Sequence, residues 1–177
     1  MTPIVIDLEW NYPVRRNQSI GLNNEIIQIG AARIDLDCRI LDSFEALIKP
    51  VYYTRLHKDV AELTLLKNED LLRGRLFPEV MADFRAWCGD DPVFISWGSE
   101  DGRVLRENCR KFGVDTTWFP REYDAQLMFD DMEMQEDRDW PLNYALYHFQ
   151  EKPGGMHNQK GPTQSIRNHK TCGRDSR

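Results

Sequence analysis

Asp7 and Glu9 are the residues of this chain whose type and spacing most directly suggest chemistry. They sit two apart in the apolar run Ile4-Val5-Ile6-Asp7-Leu8-Glu9-Trp10. On a β-strand, alternate side chains share a face, so both carboxylates stand side by side while Ile6 and Leu8 enter the opposite layer. Adjacent carboxylates repel, and a hard divalent cation with a preference for oxygen ligands relieves that repulsion. The pairs Asp35/Asp37, Asp131/Glu133 and Asp137/Asp139 repeat the spacing in polar, turn-like surroundings. Only Asp7/Glu9 has the β-branched neighbours of a buried strand.

A third acid, Asp101, follows the apolar strand Val93-Phe94-Ile95-Ser96-Trp97 and opens a helix carrying Val104, Leu105, Cys109 and Phe112 inward as far as Gly113. Acids in a first helical turn are favoured by the helix dipole, which is one reading of Asp101. The other is a ligand-binding role, because α/β sheets place ligands just past the ends of their strands.

The elements that must position these acids follow from periodicity. Strands are expected over Glu25–Ile34 and Arg39–Ile48, joined through the turn residues Asp35 to Cys38 as a hairpin, with Gly30 marking a bulge or close backbone approach. Two short helical turns run from Thr64 to Leu72, the second capped by Asn68, before Gly74 interrupts. Val80, Met81, Phe84, Trp87 and Cys88 form one helical stripe that Gly89 stops. A last strand is expected over Tyr123–Phe129 and a helix from Pro141 to Phe149. Three strands, then helices alternating with two more, make an α/β fold with a mixed five-stranded sheet flanked by helices.

Composition narrows the classes. A hydrophobic share of 41% with 11% aromatic residues suits one globular domain with its own core rather than disorder. No apolar run approaches the roughly 18 residues of a membrane span, and the N-terminus lacks a signal-peptide pattern, so a cytoplasmic protein is expected. Cys38, Cys88, Cys109 and Cys172 have neither zinc-ligand spacing nor C-x-x-C pairing and are read as free thiols. The net charge of -6 disfavours indiscriminate nucleic-acid binding while leaving room for local basic contacts; Arg15 and Arg16 are read first as a solvated basic turn, with phosphate contact as the alternative.

Ile4-Val5-Ile6-Asp7-Leu8-Glu9-Trp10-Asn11 followed by Glu25-Ile26-Ile27-Gln28-Ile29-Gly30-Ala31 resembles the first motif of the DEDDh 3′ to 5′ exonucleases, the group of ribonuclease T and the proofreading subunit of bacterial DNA polymerase III. Ser96-Trp97-Gly98-Ser99-Glu100-Asp101 resembles the second. The resemblance implies a ribonuclease H-like fold and hydrolysis of nucleotides from a free 3′ end of DNA or RNA with two magnesium or manganese ions. Asp7 would bridge both ions, Glu9 would hold the one that binds the attacking water, and Asp101 would support the other. Trp10 and Asn11 would lie near the terminal nucleotide. Two ions about 4 Å apart can stabilise both the attacking and the leaving oxygen of an in-line displacement.

The family's third motif is a histidine followed five positions later by aspartate, the histidine acting as general base. Gly155-Met156-His157-Asn158 resembles its start, but Pro162 stands where the aspartate belongs. Residues 158–177 carry five basic residues and one acid, with Ile166 and Cys172 as the only apolar side chains. An exonuclease domain over 1–157, a disordered basic tail over 158–177 and a missing last helix are therefore expected. The competing readings are a non-catalytic nucleic-acid-binding or protein-interaction module on the same fold, and an unrelated α/β domain with surface carboxylates.

Overall fold

Alternation in the first strand organises the sheet. Ile4, Ile6 and Leu8 are buried, while Val5, Asp7 and Glu9 take the other face. In the computed structural model, which describes residues 1–14, 21–132 and 142, this strand is β1 (Thr2–Asn11), the centre of the sheet. β2 (Glu25–Ile34) runs antiparallel to it, and β3 (Ile40–Leu47) runs antiparallel to β2. The Asp35 carboxylate closes their turn by accepting from the N–H groups of Asp37 and Arg39, both at 2.9 Å. β4 (Pro92–Ser96) and β5 (Arg121–Asp124) add in parallel on the other side, giving the order β3-β2-β1-β4-β5. This is the mixed five-stranded sheet with flanking helices that the strand pattern predicts.

Five helices accompany the sheet among the described residues: α1 (Lys58–Thr64), α2 (Asn68–Leu72), α3 (Phe77–Cys88), α4 (Glu100–Phe112) and α5 (Ala125–Met132). The stripe on α3 buries Val80, Met81, Phe84 and Cys88 against Ile4, Ile6, Leu8, Ile26 and Ile29, and α4 adds Val104, Leu105 and Cys109 to the same core. Trp87, at the rim of the stripe, is half-buried and donates its indole N–H to Asp42 at 2.8 Å. Gly89 (φ 77°) and Gly113 (φ 68°) end α3 and α4 in the left-handed region, as their positions after the apolar stripes imply. A smaller cluster of Ile27, Leu56, Val60 and Leu71 seats α1 and α2 on β2.

Three expectations change. The helical segment starts at Lys58, not Thr64; His57 caps it by accepting from the Asp59 N–H at 3.3 Å, an unusual capping residue that composition does not flag. Asn68 lies inside α2, and its carbonyl oxygen accepts from Leu56 N–H at 2.9 Å instead of capping the helix. The expected strand Tyr123–Phe129 divides into β5 and α5 at Asp124/Ala125, where Ala-Gln-Leu-Met brings strong helix formers. Gly30 needs no close approach, since a Cβ there would meet only Asp7 O at 3.5 Å. The two bulges fall instead at Glu9/Trp10 and Arg33/Ile34.

The chain divides into two units, Met1–Ala125 with the sheet and α1–α4, and Gln126–Arg177, of which the α5 residues to Met132 and Leu142 are described. The helix expected at 141–149, His157 and the tail 158–177 lie outside the described residues. Among the described residues no helix is long and apolar enough to cross a membrane.

Leu65 ends α1 with φ 62° while its side chain is 76% exposed. A left-handed conformation costs an L-residue about 1–2 kcal/mol, and this leucine packs too little to offset that. Part of the gain from glycine is lost to its greater freedom in the unfolded chain. Leu65→Gly is therefore expected to stabilise the protein by roughly 0.5–1 kcal/mol, read as a higher urea midpoint with an unchanged slope; a lower midpoint would contradict this account.

Candidate active site

The β1 register sets Asp7 opposite Gly30 and Glu9 opposite Gln28 on the face away from the main core. β4 keeps company with β1 only as far as Val5↔Ile95 and ends at Ser96, whose hydroxyl donates to Gly98 O at 2.8 Å as the chain turns toward α4. Past that point β1 has no strand neighbour on this side among the described residues, and the Leu8 N–H turns into the gap. Asp101, in the first turn of α4, fills it: its Oδ1 accepts from Leu8 N–H at 3.0 Å. A bond between residues 93 apart in sequence thus fixes a carboxylate beside Asp7 and Glu9, and Asp101 is only 3% exposed. Asp101 is both an acid in a first helical turn and a partner of the strand.

The three carboxylates act on one another. Burial, reinforced by the charges of Asp7 and Asp101, pushes the Glu9 carboxyl from its ordinary value near 4.5 up to about 7. Burial and the Asp7 charge likewise raise Asp101 from 3.8 to about 7, although the Leu8 N–H favours its charged form. Side chains this close in energy are still not drawn into a coordination sphere: among the described residues, no three His, Cys, Asp or Glu groups form a ready-made metal cluster. The donor chemistry nonetheless fits a hard divalent ion, since buried oxygen donors of like charge are what such an ion neutralises.

Trp10 and Asn11 do not share the carboxylates' setting. Trp10 points to the opposite face and packs against the main core. Asn11 is 0% exposed: its amide donates to Tyr53 O at 2.7 Å and Arg55 O at 2.9 Å, and its oxygen accepts from His57 N–H at 2.9 Å. The Asn11 amide thus serves the protein's own backbone, and the expectation that Trp10 and Asn11 lie near the terminal nucleotide belongs to the proposed function.

Two buried polar residues were not singled out by sequence. Asn108 lies two turns beyond Asp101 on the buried side of α4, accepts from Ile26 N–H at 3.1 Å and donates to Asn24 O at 2.8 Å and Val104 O at 2.9 Å. α4 is thus pinned to β1 through Asp101 and to β2 through Asn108, with Val104 and Leu105 between them. Glu25, the cross-strand partner of Asn11, accepts from Val51 N–H and Tyr53 N–H, both at 2.6 Å, and from Tyr52 N–H at 3.0 Å. The available signal for Asn108 was a polar residue inside an apolar stripe; Glu25 had none, since an acid at a strand end is ordinary.

The comparisons with known proteins bear on the fold and the family. The family described as Exonuclease matches residues 4–160. The chain is similar to the probable 3′-5′ exonuclease KapD of Bacillus subtilis (strain 168), 22% identical over 107 residues, 60% of this chain and 52% of that protein, so that it spans about half the length of this curated relative. Among solved structures it resembles the nuclease domain of 3′hExo, a DEDDh family member bound to rAMP, at 17% identity and a TM-score of 0.66 over 76% of this chain and 71% of that one. It also resembles the cell-death related nuclease 4 at 17% identity and a TM-score of 0.65, over 77% and 49% of the two chains. E. coli Exonuclease I in complex with an oligonucleotide gives 15% identity and a TM-score of 0.60, over 80% and 32%. These likenesses carry the ribonuclease H-like fold, and the family match over residues 4–160 carries the rest: the chain belongs to the Exonuclease family, a family of nuclease hydrolases.

Proposed function

We propose that the protein removes nucleotides from the 3′ end of single-stranded DNA or RNA in the cytoplasm, with Asp7, Glu9 and Asp101 as ligands of two Mg2+ or Mn2+ ions. The observation that carries this reading is the junction of β1 and α4, where Asp101 is locked to Leu8 N–H beside a strand that presents Asp7 and Glu9. Divalent ions held there supply the positive charge that steadies an attacking water and a leaving 3′ oxygen. The chain's own residues do the positioning. β1 spaces Asp7 and Glu9 on one face, the Leu8 N–H fixes the orientation of Asp101, and Asn108 holds the helix that carries it. His157 is assigned the general base by its motif, and the catalytic domain extends over 1–157 with the basic tail 158–177 outside it. Pro162, in the place of the motif's aspartate, favours a second reading: a nucleic-acid-binding module without turnover.

The test is release of mononucleotide from 3′-labelled and 5′-labelled single strands in Mg2+ or Mn2+. Wild type is expected to free the 3′ label first, and Asp7→Ala to lose at least about a hundredfold in rate, more than is typical for a group one shell removed from a metal. Binding without turnover establishes the second reading. Turnover that survives in Asp7→Ala overturns the assignment of these carboxylates.

A further inference from the structure

The segment between β3 and α1 is fastened to the end of the site-bearing strand by a device that the hydrolytic chemistry does not need. Asn11 and Glu25 are cross-strand partners, both buried, at the end of the β1–β2 ladder. Between them they bind the backbone of Val51, Tyr52, Tyr53, Arg55 and His57. Tyr53 is held further by its hydroxyl, which donates to Leu22 O. Buried polar groups satisfied this fully make a rigid mount.

What the mount presents is a cation. Arg55 has its carbonyl on Asn11 Nδ2 at 2.9 Å while its side chain is exposed, and the guanidinium has no partner among the described residues. Arg39, Lys58, Arg75, Arg85, Arg103 and Arg106, by contrast, each sit against a carboxylate; of the described cations that do not, such as Arg73, Arg110 and Arg121, Arg55 is the one whose backbone is bound by the Asn11 side chain of β1. Asn11 lies two residues past Glu9 on β1, about 7 Å along the strand at the usual rise per residue. The backbone of Arg55 is anchored there, and an extended arginine side chain spans a comparable distance. In a chain of net charge -6, an exposed guanidinium whose backbone is anchored two residues past Glu9 is suited to an anion that must be brought to those acids.

We propose that Arg55 is a phosphate-binding residue for the nucleic-acid strand, gripping a phosphodiester upstream of the terminal nucleotide, and that Asn11 is its positioning residue. The inference rests on the exonuclease reading and deepens it. Phosphate contacts of this kind set the register of a strand without reading its sequence, so the site is expected to favour chain length over base identity.

The test compares a single-stranded oligonucleotide with a nitrophenyl ester of a mononucleotide, which has no upstream phosphate. Arg55→Ala is expected to raise KM for the oligonucleotide roughly fivefold to tenfold with kcat within about twofold, and to lower the slope of log KM against log salt by about 0.7. The ester should be hydrolysed as by wild type, and Arg55→Lys should recover most of the loss. Asn11→Ala should raise KM for the oligonucleotide alone, and Arg55→Ala should add less than about twofold in that background. Because Arg55 is exposed, its replacement leaves folding intact even where Asn11→Ala does not. An oligonucleotide KM and salt slope unchanged in Arg55→Ala, with wild type active, would overturn the inference and leave the exonuclease reading standing. A wild type that neither binds nor cleaves the strand overturns both.

Discussion

Asp101→Asn is expected to lose at least about a hundredfold in nucleotide release and yet to unfold at a higher temperature than wild type in metal-free buffer at pH 8. The two effects come from the same charge. The asparagine is nearly isosteric and keeps an oxygen for the Leu8 N–H that Asp101 accepts at 3.0 Å, so the α4–β1 junction survives. What disappears is a carboxylate whose carboxyl is raised to about 7 by burial and by Asp7, and which is therefore held ionised at pH 8 against its surroundings. At about 1.4 kcal/mol per pH unit that cost is on the order of 4 kcal/mol. A neutral acceptor binds the Leu8 N–H less strongly than a carboxylate, giving back about 1–2 kcal/mol. The balance, about 2 kcal/mol, corresponds to a rise of roughly 4–8 °C for a domain of this size. Were Asp101 there only to satisfy the strand, the variant would be less stable and activity would fall only with folding. A lower melting temperature at pH 8 contradicts the functional reading; activity within tenfold of wild type contradicts it independently.

This coupling shows what sequence could and could not convey. The shared face of Asp7 and Glu9 was legible because strand alternation is local, and so were the α3 stripe and the turn at Asp35. Asp101 was legible as a position, at the mouth of a helix after a strand. Its bond to Leu8 was not, because it depends on β4 ending while β1 continues, a fact about two chain segments and their register. The partners of Asn11, Glu25 and Asn108 were opaque for the same reason. Each satisfies backbone groups far away in sequence, on a segment whose path no periodicity specifies, and a buried polar residue looks like a surface one until its partners are placed. The resemblance placed Asn11 near the substrate; its side chain holds the loop that the substrate is expected to meet. At Ala125 the error was one of weighting, with a short β-like beginning outvoting the helix formers that follow.

The same electrostatics predict how the unmutated protein responds to pH and to divalent ions. Glu9 and Asp101 are raised in the folded state to about 7, from 4.5 and 3.8 respectively. For an acid raised on folding, the native state binds the proton more tightly than the unfolded chain. Stability is therefore highest below the unfolded values, and it falls as pH rises toward about 7, after which the full cost remains. Glu9 is partly exposed, so its share is reduced by solvent screening, and both residues owe part of their shift to Asp7, so the two costs do not simply add. A loss on the order of 4 kcal/mol between pH 5 and pH 8 is expected in EDTA, or roughly 10 °C in melting temperature. Asp115, which its hydrogen bonds to Thr117 hold below the usual carboxylate range, acts in the opposite sense, but its window lies below pH 4. On the proposed reading magnesium or manganese would bind only the ionised carboxylates of the native state, so at pH 8 it should restore stability in proportion to the logarithm of its concentration. At pH 5, where protons occupy the same oxygens, the ion should do little. Thermal unfolding at pH 5, 6, 7 and 8 with and without the ion measures both trends. A metal-free protein that grows more stable from pH 5 to pH 8, or one that magnesium stabilises equally at both ends, would show that these carboxylates are not held against their charge and do not converge on an ion.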